Sequence, residues 1–585
     1  MRRLVLSFIC LLSITTANAG KVITLPDSVA EGYIAFGERY LHKPWAELPD
    51  SVFAQFKKNG NRVNYEAIVF ERRRQLAALV MAEVVEDKGR FVNDILNGID
   101  VHLDEPWWGI PAHYSKPKPD RNIQTVDLFN AESASLVAWT RHLLADKLDA
   151  MRHGICDSID NDITRRILVP AVSENYWWKR ASMNWNPWIC SNWLACISFC
   201  EHDAARRSEA LRQIGDALKF FVDSYPDDGG CDEGPGYWDR AAASLFECLQ
   251  WHDFEGLDHA KIKKMGAYIY KLYIGNDYCV DFADSHTNKS VQQINILYPF
   301  ALYANDKTMR QFAGHMFCRN LAKYYENSGN FPTLGREVAF LRHFDELARE
   351  EAREPLMKHV WLDKLQIMTT RQHEGSTAGL FLAMKGGNND ESHNHNDVGS
   401  FLVYADGQPL LIDVGVGEYT SQTFSGDRYS IWTMQSAYHN LPIINGVCQK
   451  NGRQYKAKNV EYSPGCLMTD IAEAYPADAK VGYWKRTVSL NDARIDVTED
   501  YCLEEYIAPT QINFITIVPP IVKKNKVVLG DRVIKFSSRQ MSASVEDISE
   551  NMDTLLRNMW GDKLYRITLT LRSTSPTGKV AYTIK

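Results

Sequence analysis

The chain changes its hydrophobic periodicity once, about two-thirds of the way along. From about residue 25 to 360, apolar residues recur at spacings of three and four, which predicts a succession of amphipathic helices. The clearest predicted helices span residues 65–85, 131–151, 209–224, 240–253 and 257–275. Loops rich in Gly, Pro and Asp separate them, so we expect helical hairpins arranged as a solenoid or a closed α/α toroid.

After about residue 365 the pattern becomes that of short strands. The predicted strands lie at 379–384, 401–405, 409–414, 511–518, 527–529, 533–536 and 565–571. Turn signals recur every few residues without intervening helices, which favours an antiparallel sandwich over βαβ units. A chain of 585 residues is too long to fold around one hydrophobic core. We therefore predict a helical domain at 20–365 and a β domain at 366–585.

The N-terminus has the pattern of a secretion signal. Two arginines precede a short apolar run, and Ala17-Asn18-Ala19 is a small-residue cleavage site, so we predict a signal peptide at 1–19. No other stretch approaches the ~20 apolar residues of a membrane span. We therefore expect a periplasmic or secreted protein, with a lipoprotein anchored through Cys10 as the alternative. The net charge of −7 argues against nucleic acid or an anionic membrane as the main partner.

A His-x-His pair at the mouth of a predicted strand is the most informative local motif. His393 and His395 share a face if the segment is extended, and His is both a common general base and a common metal ligand. The cupin and metallo-β-lactamase motifs do not fit, because the Glu and the following His that they require are missing. Downstream, Asp413 ends an apolar run and His439 precedes another. Together His395, Asp413 and His439 make a possible N,O,N zinc set, with ordinary buried polar residues as the alternative.

The helical half contains three loops that could face a sugar. Trp and amide residues are dense at 176–188 and again at 105–113, which suits either core packing or stacking on pyranose rings. A third loop, 232–238, places Tyr237 after a Gly/Pro turn at the start of a predicted helix. There the helix dipole would favour the phenolate.

At these positions the chain resembles the heparinase II/III type of polysaccharide lyase. The matching segments are 107–113, 126–129, 184–185, 234–238, 393–401, 413–415 and 439–440. The resemblance implies an incomplete (α/α) toroid followed by an antiparallel β-sandwich. It also implies cleavage of an acidic, uronate-containing polysaccharide, preferably a glycosaminoglycan, by β-elimination. It leaves the oligomeric state open.

The resemblance also assigns roles to individual residues. Asn184 would neutralise the uronate carboxylate, Tyr237 would act as base, acid or both, and His393 would be the partner base or a carboxylate ligand. One structural zinc ion would be held by His395, Asp413 and His439. The implied substrate-binding residues are Trp108, His113, Trp185, Glu233, Arg336 and Arg428.

The pattern departs from the family at one position and leaves two alternative functions open. Several relatives place a His directly after the neutralising Asn, where this chain has Trp185, and Asn186 and Asn192 are rival amides. The first alternative is an α/α-toroid glycoside hydrolase with Asp232 or Glu233 as its acid. The second is a glycan-binding protein that keeps the fold without turnover.

Overall fold

The computed structural model describes residues 25–114, 124–287, 294–327 and 334–585, which form two compact units. Unit 1 comprises the chain up to Tyr225 together with Asp239–Gly266 and Gln292–Arg353. Unit 2 comprises Pro226–Trp238, Ala267–Val291 and Glu354–Lys585. The predicted signal peptide at 1–19 lies outside the described residues.

Unit 1 is helical, as the periodicity predicts. The α-helices of the described chain before the β region are Asp27–Glu38, Asp50–Phe53, Gln55–Asn59, Val63–Glu86, Val92–Asp104, Leu128–Met151, Ile155–Ile163, Val169–Ser173, Trp185–Cys200, Ala204–Ser224, Ala242–Trp251, His259–Lys271, Ile294–Ala304, Lys307–Asn327, Leu334–Arg342 and Phe344–Leu347. The five predicted helices agree with observed ones, with small differences at their ends.

The ends of these helices follow from local chemistry. The helix Leu128–Met151 begins where the Asp127 carboxylate accepts the backbone N–H of Asn130 at 2.6 Å, and Asp203 caps Ala204–Ser224 in the same way. The helix Trp185–Cys200 packs against Leu128–Met151 and buries Cys190, Cys196 and Cys200 as free thiols. None of the described helices is long and apolar enough to cross a membrane.

Unit 2 is built mainly from antiparallel strands. The strands of the described chain are β1 Tyr273–Gly275, β2 Tyr278–Cys279, β3 His359–Leu362, β4 Ile367–Arg371, β5 Leu380–Lys385, β6 Asn388–Asn389, β7 Phe401–Ala405, β8 Gln408–Leu411, β9 Pro442–Ile443, β10 Gly452–Lys456, β11 Lys458–Ser463, β12 Cys466–Asp470, β13 Val481–Asn491, β14 Arg494–Leu503, β15 Gln511–Thr516, β16 Pro520–Lys523, β17 Lys526–Leu529, β18 Arg532–Phe536, β19 Met541–Asp547, β20 Tyr565–Leu571 and β21 Thr577–Ile584. One further helix, Thr554–Trp560, precedes β20.

Three sheets form the framework of this unit. Their strand orders are β3-β4-β5-β7-β8, β11-β12-β13-β14-β21-β18-β17-β16 and β19-β20-β15-β9. Apolar side chains from all three sheets pack into one core, which includes Leu382, Val403, Trp484 and Phe514. Every residue of β5 and β7 is buried, which explains why these strands appear in the sequence as continuous apolar runs rather than alternating ones.

The division between the units differs from the predicted boundary at residues 365 and 366. The main boundary lies at Arg353 and Glu354, and two earlier segments, 226–238 and 267–291, also belong to unit 2. The first of these segments is fixed there by Asp228, whose carboxylate accepts the backbone N–H groups of Lys364 and Leu365 at 2.7 and 3.3 Å. Hydrophobic periodicity is local and cannot reveal such long-range bonds. It therefore predicts that both segments belong to the helical domain.

Candidate functional site

His393 lies in a loop before β7 and not at the mouth of a strand, because residues 391–400 form turns. Its backbone adopts a left-handed conformation with φ of 56°, which is uncommon for a residue other than glycine. The loop is held by two backbone bonds: the Asp284 N–H donates to the His393 carbonyl at 3.1 Å, and the Ser392 N–H donates to the Asp232 carboxylate at 3.3 Å. The alternation of an extended strand therefore does not explain how His393 and His395 converge.

Both histidines converge on the carboxylate of Asp284. His393 Nδ1 lies 2.8 Å from Asp284 Oδ2, and His395 Nε2 lies 3.1 Å from Asp284 Oδ1. The guanidinium of Arg428 donates to Oδ1 at 2.7 Å, and the hydroxyl of Tyr419 donates to Oδ2 at 2.9 Å. Burial by itself would raise the pKa of Asp284, but the hydrogen bonds from the two histidines and the charge of Arg428 hold it well below its usual range. Asp284 is therefore a fixed anion.

The imidazole of His393 bridges two carboxylates. While Nδ1 faces Asp284, Nε2 lies 3.3 Å from Oε2 of Glu233. Burial would lower the pKa of His393, but the hydrogen bond to Asp284 and the negative charge of Glu233 raise it above its ordinary value. Glu233 and His393, both predicted site residues, thus lie together within unit 2. The imidazole gains a proton more readily than that of a free histidine.

Tyr237 completes a chain of hydroxyl groups that ends on Asp284. Its hydroxyl lies 2.7 Å from that of Tyr419, and because Tyr419 donates to Asp284, Tyr237 is the donor to Tyr419. Its ring lies 4.7 Å from the ring of His393. The expected phenolate is wrong for this state: Tyr237 ends a three-residue turn, Pro235–Tyr237, and burial and the charges of Asp284 and Glu233 raise its pKa. The side chain is a neutral phenol.

The predicted metal ligands His395, Asp413 and His439 are buried together. One donor atom from each lies within 4.8 Å of the others. The Nε2 of His395 is fixed by Asp284, and the Nε2 of His439 lies 3.0 Å from the carbonyl oxygen of Thr433, which can only accept. Each imidazole thus donates through Nε2, which leaves Nδ1 as the nitrogen that a cation would bind.

The two Nδ1 atoms suit a cation. His395 Nδ1 has no hydrogen-bond partner within the described part of the chain, and His439 Nδ1 lies 3.0 Å from Asp413 Oδ2, a contact that a bound cation would replace. Two imidazoles anchored through Nε2, with Nδ1 beside a carboxylate, are the usual arrangement around a bound zinc ion. The residues present therefore fit the predicted metal.

The predicted aromatic residues of unit 1 divide into two groups. His113 and Trp185 lie together, with ring centroids 4.7 Å apart, and His113 Nδ1 is 2.7 Å from the Asp127 carboxylate. Trp108, by contrast, is fully buried, donates to the His102 carbonyl and is covered by the Arg166 guanidinium 4.5 Å above its ring. This placement is that of a core residue, and it does not support the predicted sugar contact of Trp108.

Two further predicted site residues of unit 1, Asn184 and Arg336, are both buried. Asn184 precedes the helix Trp185–Cys200 and is 2% exposed. Its rival Asn186 is fully committed, since its amide donates to the carbonyl oxygens of Lys179, Ala181 and Ala217. The other rival, Asn192, donates to the Trp188 carbonyl.

Arg336 is also committed. Its guanidinium donates to both oxygens of Glu247 at 2.8 and 3.0 Å and to the carbonyl oxygen of Asp239 at 2.7 Å. Because this side chain is buried and bidentate, its contacts favour a structural role over the predicted substrate contact. Arg428 of unit 2 is likewise paired with a carboxylate, since its guanidinium balances the charge of Asp284.

Sequence reasoning missed three residues of the unit 2 cluster. Asp281 and Asp284 follow the predicted helix 257–275, and Tyr419 follows the Asp413 segment in a loop. The local signal for the first two is a pair of aspartates three residues apart among apolar neighbours. That pattern is too common to single out a site.

Part of the β region matches a known protein family. Residues 368–494 match the family model described as heparinase II/III-like, C-terminal, which confirms the resemblance for this part of the chain. No curated protein matches the chain by sequence.

Solved structures of lyases share the whole fold. A structure of heparinase III matches with a TM-score of 0.65 and 13% identity, covering 99% of this chain and 87% of that one. The heparan sulfate lyase of Pedobacter heparinus gives 0.57 and 13%, covering 97% and 84%. The chondroitin AC lyase of Streptomyces coelicolor A3, in complex with chondroitin sulphate, gives 0.54 and 11%, covering 95% and 82%. The predicted fold, a helical toroid followed by an antiparallel β-sandwich, is confirmed.

Proposed function

We propose that this protein is a polysaccharide lyase that cleaves a uronate-containing polysaccharide, preferably a glycosaminoglycan, by β-elimination. The observation that carries the proposal is the cluster of Tyr237, Tyr419, Asp284 and His393 within unit 2, on a fold shared with heparan sulfate and chondroitin lyases. A hydroxyl donor beside a titratable imidazole is the pair of groups that elimination requires.

The protonation states assign the two roles. In β-elimination a base removes the proton at C5 of the uronate, the C4–O4 bond breaks, a C4–C5 double bond forms, and an acid protonates O4. Tyr237 is a neutral phenol and can supply the proton to O4. His393 takes the C5 proton through Nε2, the nitrogen turned away from Asp284, once that nitrogen is unprotonated. Tyr419, which donates to Asp284, positions the Tyr237 hydroxyl through this hydrogen-bond chain.

The uronate carboxylate must be neutralised before its C5 proton becomes acidic. By resemblance we assign this task to Asn184, with His113 and Trp185 as neighbouring substrate contacts. The amide of the rival Asn186 donates to three backbone carbonyl oxygens. An amide donor aimed at the developing enolate lowers the barrier electrostatically.

We propose one structural zinc ion, held by His395, Asp413 and His439. The ion would supply no acid or base; it would fix the loop that carries His393, because His395 and His393 share Asp284. We also propose that the protein is secreted or periplasmic, on the basis of the predicted signal peptide, and that it acts on an extracellular polymer.

A digestion screen tests the proposal. Purified heparan sulfate, chondroitin sulfate, hyaluronan and alginate are incubated with the protein, and ultraviolet absorbance of the new C4–C5 double bond is followed together with product masses. Tyr237→Phe should abolish the signal, while Tyr475→Phe, which removes a buried hydroxyl bonded to the Pro442 carbonyl, should keep it. New reducing ends without absorbance would indicate hydrolysis instead. Binding without any product would indicate a glycan-binding protein.

A further inference from the structure

A buried carboxyl group in unit 2 has no hydrogen-bond partner among the described residues. Asp281 is fully buried, and both of its side-chain oxygens are without a hydrogen-bond partner within the described residues. Burying an ionised carboxylate in this way is costly unless a cation or a set of donors faces it. The position therefore calls for a partner other than a described side chain.

This carboxylate lies beside the candidate metal ligands. Burial and the negative charge of Asp413 both raise the pKa of Asp281. Gly415 lies between them: its N–H donates to Asp413 Oδ1 at 3.0 Å, and a Cβ built on it would come within 3.9 Å of Asp281 Oδ2. That Cβ would also come 2.7 Å from the Ser285 carbonyl oxygen, and φ is +71°, so only glycine fits there.

The charges of the site show what Asp281 adds. Two neutral imidazoles and Asp413 bring one negative charge, so a divalent ion bound by these three alone would leave a net positive charge in a fully buried place. The nearby acids cannot supply the difference: Asp284 is balanced by Arg428, and Asp397 is paired with Lys385 at 2.9 Å. Asp281 brings the second negative charge.

We propose that Asp281 is the fourth group of the metal site and that its carboxylate neutralises the bound divalent cation. The inference rests on the metal site proposed above and goes beyond its three ligands. It explains why a buried acid is tolerated without donors, since the ion is its partner. It also makes the site charge-neutral.

The test compares metal binding and stability in the wild type, Asp281→Asn and Asp228→Asn. Asp228 is a buried aspartate of the same unit whose carboxylate is instead satisfied by backbone N–H groups, so it is the matched control. Zinc dissociation constants are measured by chelator competition, and thermal unfolding is followed for metal-free and zinc-loaded protein. We expect Asp281→Asn to weaken zinc binding by about 10- to 100-fold.

The metal-free proteins give a second expectation. Without zinc, Asp281→Asn should melt near the wild-type temperature, because the amide has nearly the same size as the carboxyl group and no bound ion is lost. Asp228→Asn should melt lower in both states and bind zinc with wild-type affinity. Wild-type zinc affinity in Asp281→Asn, or a large loss of metal-free stability, would overturn the role of Asp281. A wild-type protein that binds no zinc would instead overturn the metal site itself.

Discussion

The contact between Glu233 and His393 predicts how the activity depends on pH. Oε2 and Nε2 are 3.3 Å apart, and replacing Glu233 with Gln keeps the shape of the side chain while removing its charge. At that distance the attraction between unit charges is about 1 kcal/mol in a water-like medium and about 5 kcal/mol at an effective dielectric constant of 20. Since one pKa unit corresponds to about 1.4 kcal/mol, we expect the pKa of His393 to fall by about one unit or more.

The consequence for catalysis follows from the role of His393 as a base. In the wild type its pKa is raised, so the unprotonated imidazole becomes available only as the pH rises above the ordinary histidine range. A plot of kcat/KM against pH should therefore climb through a midpoint above that range. In Glu233→Gln this midpoint should move to lower pH by about one unit or more. The plateau should fall modestly, because a weaker base removes the C5 proton more slowly.

Initial rates of double-bond absorbance, measured over a pH series on one polymer, provide the assay. Glu473→Gln removes a carboxylate from the same unit that is paired with Lys458 at the surface, so it controls for the change in net charge. If the midpoint of the plot of kcat/KM against pH does not move in Glu233→Gln, then His393 is not the titrating base. A shift of equal size in Glu473→Gln would assign the effect to the overall charge.

The other predictions concern the hydrogen bonds around Asp284. Tyr419→Phe breaks the link between Tyr237 and the carboxylate, and should lower kcat by about 10- to 100-fold with little change in KM, as measured by steady-state kinetics. Asp284→Asn replaces a carboxylate that accepts four hydrogen bonds by an amide, so this one variant should lose both zinc affinity and turnover. If it keeps either property, Asp284 does not support both the metal ligand and the base. His395→Ala should lose zinc, measured by mass spectrometry of the metal, and with it about 4 kcal/mol of stability at zinc a thousandfold above Kd. His393→Asn, which suits the left-handed backbone, should abolish turnover with little effect on melting; equal thermal damage from both would refute the division of labour.

Most of the architecture could be predicted from the sequence, because periodicity is a local property. The predicted helix 131–151 and strand 565–571 correspond closely to Leu128–Met151 and Tyr565–Leu571. The residue pattern suggests His395, Asp413 and His439 as a metal set, the resemblance implies the same set, and the structure brings their donor atoms together. The motif that suggested it was interpreted as a strand, yet it is a loop.

The partners of the histidines could not be predicted, because they come from distant parts of the chain. Asp284 is 109 residues from His393, and Tyr419 is 182 residues from Tyr237. Nothing in the local pattern around Asp284 distinguishes it from an ordinary loop aspartate. The phenolate expected at Tyr237 failed for a similar reason: the helix that should have stabilised it is a single short turn, while the acids that destabilise it lie elsewhere in the sequence.

These long-range contacts form because two short segments of the earlier chain belong to unit 2. Residues 226–238 carry Glu233 and Tyr237, and residues 267–291 carry Asp281 and Asp284. The proposed acid–base pair therefore lies within one compact unit, although half of its residues come from the part of the chain that is otherwise helical. Asp284 bonds the proposed metal ligand His395 through Oδ1 and the proposed base His393 through Oδ2. An ion bound at His395 would thus hold the base in position through Asp284 without taking part in the elimination.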